Sequence, residues 1–178
     1  MSKSVIVGLV LGLAGGVGAQ PILNMPSTVI VVKDSILVPP NVKKRKFKWR
    51  TSTKPFQIPA GAPRIVPPAP GGPGDPTIHG ATLIVYNAAG RPLSSTFALP
   101  AENWVINGSV ENFKGYRFKD DTVIDGPVLR IYVKFDKLFV FGGRDNWTYL
   151  LDGQQQVRMA GRLIMVPSWH GVPKGSPS

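Results

Sequence analysis

The stretch Pro127 to Gly142, PVLRIYVKFDKLFVFG, constrains the fold more than any other. Leu129, Ile131, Val133 and Phe135 alternate with Val128, Arg130, Tyr132 and Lys134, the period of two that a half-buried strand shows. Asp136 and Lys137 interrupt the pattern, and Leu138 to Phe141 resumes it. A two-residue turn at Asp136-Lys137 would pair Phe135 with Leu138, Val133 with Val140 and Ile131 with Gly142. Phe139 and Phe141 then share the opposite face with Lys134 and Tyr132. The second strand is apolar on both sides and is expected in the centre of its sheet. Asp-Lys is a poor turn pair, because neither residue readily takes positive φ.

The other segments read as strands added to this hairpin. Ser27–Lys33, Ala81–Asn87, Arg91–Leu99, Lys114–Lys119, Trp147–Leu151 and Val157–Val166 carry β-branched or alternating residues, and Glu102–Gly108 sets Trp104 and Ile106 on one face. No helical period appears beyond the N-terminus. The fold class is therefore all-β, a single β-sandwich of the immunoglobulin-like or Greek-key type over 27–166. Trp49, Trp104, Trp147, Tyr116, Phe118 and Phe135 are its expected aromatic core. Residues 20–26 read as a linker and 167–178 as a flexible tail. The stretch 55–76 holds eight of the 18 prolines and should form a loop without ladder hydrogen bonds, free of helix or central strand through Pro63–Pro73.

Lys3 followed by the apolar run Val5–Ala19 matches a signal peptide with cleavage after Ala19. The alternative is a retained membrane anchor helix over residues 1–19, packed through Gly8, Gly12 and Gly16 at small-xxx-small spacing. Both readings place the domain outside the cytoplasm, in the periplasm, on the cell surface or in the medium.

Composition narrows the chemistry. The chain has 178 residues, a net charge of +11 and no cysteine, which excludes disulfides and thiolate metal sites. Only 10 acids are present, so paired carboxylates for catalysis are scarce. Asp75, His79 and His170 do not share a metal-binding spacing, and Asp120, Asp121 and Asp125 lack the ligand pattern of a calcium loop. Ser94, Ser95, Ser109 and Ser168 sit in no nucleophile elbow, and Glu102 and Glu111 are separated by a strand and turn. Asn107 and Asn146 begin glycosylation sequons, a three-residue pattern that often arises by chance. No enzyme activity and no cofactor are expected.

The strongest charge run is Lys43–Arg50, KKRKFKWR. As a strand it sets Lys44, Lys46, Lys48 and Arg50 on one face and Arg45, Phe47 and Trp49 on the other. The simplest reading is an edge strand whose lysines prevent edge pairing. The alternative is a binding face for a polyanion or acidic lipid, using Lys43, Lys44, Lys46, Lys48 and Arg50.

In order along the chain, VKKRKFKW, PPAPGGPGDPT leading into GATLIVYN, LPAENW, KGYRFKD, DGPVLRIYVK and QVRMAGRLIM resemble the segments of an uncharacterised exported bacterial β-domain, often repeated within surface or secreted proteins. The resemblance spans roughly residues 31–166. It implies export and an all-β fold, and it transfers no site residue. The C-terminal cysteine of many such copies is missing here.

These observations lead to a non-enzymatic exported structural or binding module of the cell envelope with a protein partner. The alternatives are an accessory subunit of a membrane complex, anchored by an uncleaved N-terminal helix, and a polyanion- or acidic-lipid-binding protein. Nucleic acid is not expected as a partner.

Overall fold

A computed structural model describes residues 8–9, 25–26, 29–33, 45–54, 60, 64–87, 94–143 and 159–165. Its strands are β1 (Gly8–Leu9), β2 (Met25–Pro26), β3 (Val29–Lys33), β4 (Lys46–Ser52), β5 (Ala81–Asn87), β6 (Ser94–Leu99), β7 (Trp104–Gly108), β8 (Phe113–Lys119), β9 (Val128–Lys134), β10 (Lys137–Gly143) and β11 (Met159–Ile164). One short helix, α1 (Pro76–His79), precedes β5. The fold is all-β, as the alternation predicts.

The six-stranded sheet runs β3-β4-β10-β9-β8-β7 and the three-stranded sheet runs β11-β5-β6. Every pairing is antiparallel. β7 to β10 form a meander, and β10 then pairs with β4 on its far side, so β10 is central as expected. The chain changes sheets between β4 and β5, between β6 and β7, and between β10 and β11.

Both sheets bury side chains in one core. Phe47, Trp49, Trp104, Tyr116, Phe118, Ile131, Val133, Leu138 and Val140 come from the larger sheet. Leu83, Val85, Phe97, Leu99, Ala160 and Leu163 come from the smaller one. Alternation explains the partition, since each contributing strand turns every second side chain inward. At Gly161 the sheets approach closely, since a Cβ there would lie 2.9 Å from the Trp49 ring. The indole of Trp104 also donates to the Leu99 carbonyl at 3.3 Å, joining β7 to the end of β6.

The proline-rich stretch is neither helix nor strand over residues 64–75, in agreement with its sequence. It is nonetheless fixed to the larger sheet. Ile65 is fully buried; its N–H donates to Thr53 Oγ1 at 2.9 Å and its carbonyl accepts from the Asp136 N–H at 2.9 Å. Asp75 then caps α1, accepting from the Thr77 N–H at 2.8 Å and the Thr77 hydroxyl at 2.7 Å.

Four expectations are corrected. The hairpin turn is Phe135-Asp136, not Asp136-Lys137, so Val133 pairs with Leu138 and Ile131 with Val140. The slip is even, so every side chain keeps its face. Asp136 takes φ 60, a conformation aspartate tolerates better than most residues, and Thr53 and Arg64 hold its carboxylate there. Phe135, placed in the turn, is 49% exposed and leaves the core set. β4 is not an edge strand, because β3 covers one side and β10 the other. Edge protection therefore cannot explain its lysines. Gly8, expected on a helix face, is extended instead and pairs with Pro26. Gly12, Gly16 and Trp147 lie outside the described residues, as do the strand expected over 147–151 and the tail over 167–178. Among the described residues no helix is long and apolar enough to cross a membrane.

Candidate functional site: the outer face of the six-stranded sheet

None of the six strands of the larger sheet contains an aspartate or glutamate. On β4, β10, β9 and β8 the outward positions are mostly bases and aromatics, set in cross-strand rows. One row is Arg50, Phe139, Tyr132 and Arg117, running from β4 through β10 and β9 to β8. The adjacent row is Lys48, Phe141, Arg130 and Lys119. Lys137 and Lys134 stand opposite each other on the other side of the first row. Lys46 lies at the far end of β4. Strand spacing puts Arg50 roughly 14 Å from Arg117, with the aromatic pair between them.

The local chemistry is specific. Tyr132 and Phe139 have ring centroids 6.1 Å apart, tilted by 44°. The Lys134 ammonium lies 5.8 Å from the Tyr132 centroid, and the Lys46 ammonium 5.6 Å from that of Phe141. Tyr132, Lys134, Lys137 and Phe139 line a shallow depression of about 270 Å³. The three rings are half-buried.

Among the described residues, acid enters this face at its rim. Asp121 pairs with Lys119 at 2.7 Å and with Arg130 at 3.5 Å. The hydrogen bond from Lys119, with further help from Arg130, holds its carboxyl below the usual range. Lys46, Lys48, Arg50, Arg117, Lys134 and Lys137 have no ion pair with an acid among the described residues. Like charges directly opposite each other destabilise a sheet, and Lys134–Lys137 is such a pair, with no ion pair to a carboxylate among the described residues.

The structure thus joins Lys46, Lys48 and Arg50 of the basic run to bases more than sixty positions away in the chain. Lys43 and Lys44 lie outside the described residues. The sequence reading placed Lys134 and Tyr132 beside Phe139 and Phe141 but did not connect them to β4. Only the β4–β10 pairing does so, and that pairing leaves no local signal.

The other candidates do not assemble. His79 is exposed on α1 while Asp75 is buried as its cap, and among the described residues no three potential ligands cluster. Asp120 is buried and accepts from the Thr122 N–H, the Thr122 hydroxyl and the Asp125 N–H, so it closes a turn through its own hydrogen bonds. Asp125 accepts from Asn103. Ser109 accepts from the Asn112 N–H. Glu111 is held below the ordinary carboxylate range by its own backbone N–H and by the Ser109 hydroxyl, the opposite of a general acid's environment. His170, Ser168 and Asn146 lie outside the described residues.

Comparison with known proteins adds no assignment: no protein family, no curated protein and no solved structure matches the chain.

Proposed function

We propose that the chain is a non-enzymatic β-sandwich module of Greek-key type that binds a polyanion on the outer face of its six-stranded sheet. The observation that carries this reading is the acid-free sheet, with bases and aromatics in register across β4, β10, β9 and β8. Gathering six bases on one face, none of them ion-paired to an acid among the described residues, raises the electrostatic energy of the free protein. A ligand that brings negative charge relieves that repulsion on binding. The run Val5–Ala19 after Lys3 supports a location outside the cytoplasm, as an exported domain of the cell envelope.

Retention on immobilised heparin tests the reading. The parent protein should need raised salt to elute, and the Lys46→Glu, Lys48→Glu, Arg50→Glu triple variant should elute at much lower salt with its fold intact by circular dichroism. Flow-through of the parent at low ionic strength, or unchanged elution of the variant, would refute it.

A further inference from the structure

We infer that the polyanion is a single-stranded nucleic acid, its bases stacked on Tyr132, Phe139 and Phe141 and its phosphates held by the flanking bases of the sheet. The inference rests on the polyanion reading and extends it through the aromatics, which charge alone does not require. A polyanion recognised only by its charge has no use for three rings at the centre of the face. A strand with unpaired bases uses both parts of the surface, since every base offers a π-face and every nucleotide a phosphate.

The arrangement matches that chemistry. Tyr132 and Phe139 are direct cross-strand neighbours on β9 and β10, the two strands at the middle of the sheet. Successive bases can therefore rest on adjacent rings. Lys46, Lys48 and Arg50 recur at every second residue of β4, about 6.7 Å apart along the strand. They form a cationic track beside the rings, and Arg117 with Lys119 forms a second on the opposite side. The depression lined by Tyr132, Lys134, Lys137 and Phe139 offers an aromatic floor and ammonium groups together.

A duplex fits less well, because its bases are already stacked on one another and present no free face to the rings. A bilayer also fits less well. The rings are half-buried, and none stands out as an apolar wedge. In sequence the basic run reads as an edge strand or a polyanion face apart from the aromatic hairpin, and nucleic acid is not the expected partner.

The experiment measures binding of fluorescein-labelled oligodeoxythymidine by anisotropy at fixed salt. Blunt duplex DNA, heparin and phosphatidylserine vesicles serve as competitors. The Tyr132→Ala, Phe139→Ala double variant should lose about 10-fold or more in oligonucleotide affinity, since base stacking on one ring is worth roughly 5- to 150-fold. Its elution from heparin should shift far less than its oligonucleotide affinity, because the bases of β4 and β8 remain in place. Tyr132→Phe should keep parental affinity, which separates stacking from any effect on folding. If the double variant binds oligodeoxythymidine as tightly as the parent, or if duplex, heparin or vesicles compete better than unlabelled oligonucleotide, the nucleic-acid inference is overturned and the polyanion reading stands. If the parent binds neither oligonucleotide nor heparin, both fail.

Discussion

Neutralising the β4 track should change the salt dependence of binding by a predictable amount. Six bases on the face have no carboxylate partner among the described residues: Lys46, Lys48, Arg50, Arg117, Lys134 and Lys137. If all six contact phosphates of a single strand, the slope of log affinity against log salt is about −0.7 for each, or roughly −4 in total. Raising salt from about 50 to about 200 mM should then weaken binding by roughly 300-fold. The Lys46→Gln, Lys48→Gln, Arg50→Gln variant keeps three of the contacts. Its slope should fall to about −2 and its loss over the same range to roughly 20-fold. Glutamine keeps part of each aliphatic stem while removing the charge. Anisotropy titrations of labelled oligodeoxythymidine at four or more salt concentrations, on the order of those above, give both slopes. Equal slopes for parent and variant would show that β4 touches no phosphate. A parental slope near zero would show that the face does not bind through charge.

Three further outcomes test the fold that builds the face. Gly161→Val should destabilise by about 1–3 kcal/mol in urea unfolding, because its side chain would enter space held by the Trp49 ring; unchanged stability would mean the two sheets do not meet there. Asp120→Ala should cost about 1–3 kcal/mol, since the buried carboxylate satisfies two backbone N–H groups and one hydroxyl, and thermal unfolding measures it. Burial, with the Asp75 carboxylate in support, pushes the Tyr116 phenol well above its ordinary value near 10. The stability tied to that neutral phenol is full below pH about 10 and is lost as pH rises toward the folded value. Tyr116→Phe should therefore lose less stability in alkali than the parent; parallel losses in a pH series of urea melts would refute this.

The hairpin turn responds to acid in the opposite sense. Asp136 is held below the ordinary carboxylate range chiefly by its hydrogen bond from Arg64. Its contribution is present above the usual carboxylate pKa and is lost as pH falls toward the lowered value. Asp136→Asn keeps a residue suited to positive φ but removes the charge. The variant should melt below the parent at neutral pH and converge with it in acid. A constant gap across the pH series would mean that the charge contributes nothing.

Most strands were legible because strand alternation is written locally. Trp49, Tyr116, Ile131 and Val140 are buried where a period of two places them. Ala81–Asn87 has the boundaries its composition indicates. The proline-rich stretch was legible as lacking ladder bonds, since proline donates none. Its anchoring through Ile65 was not, because Thr53 and Asp136 are remote in sequence. Phe135 was misplaced because the turn could form one residue earlier without moving any other residue to the wrong face. Asp136 accepts the backbone conformation that choice requires, helped by Arg64 and Thr53.

The sequence by itself determined the all-β class, the outward alternation of Lys46, Lys48 and Arg50, and the placing of Phe139 and Phe141 on one face with Tyr132 and Lys134. These follow from strand geometry and near neighbours. The tertiary structure decided that β3 covers the other side of β4, and that β10 carries the aromatics against its bases. It also decided that Asp121 reaches only the rim of the resulting face. Strand pairing depends on backbone hydrogen bonds, which every residue but proline can make, so nothing local specifies which strands meet. That choice belongs to the shared core, where Trp49 is buried beneath Gly161 and cross-strand from Val140.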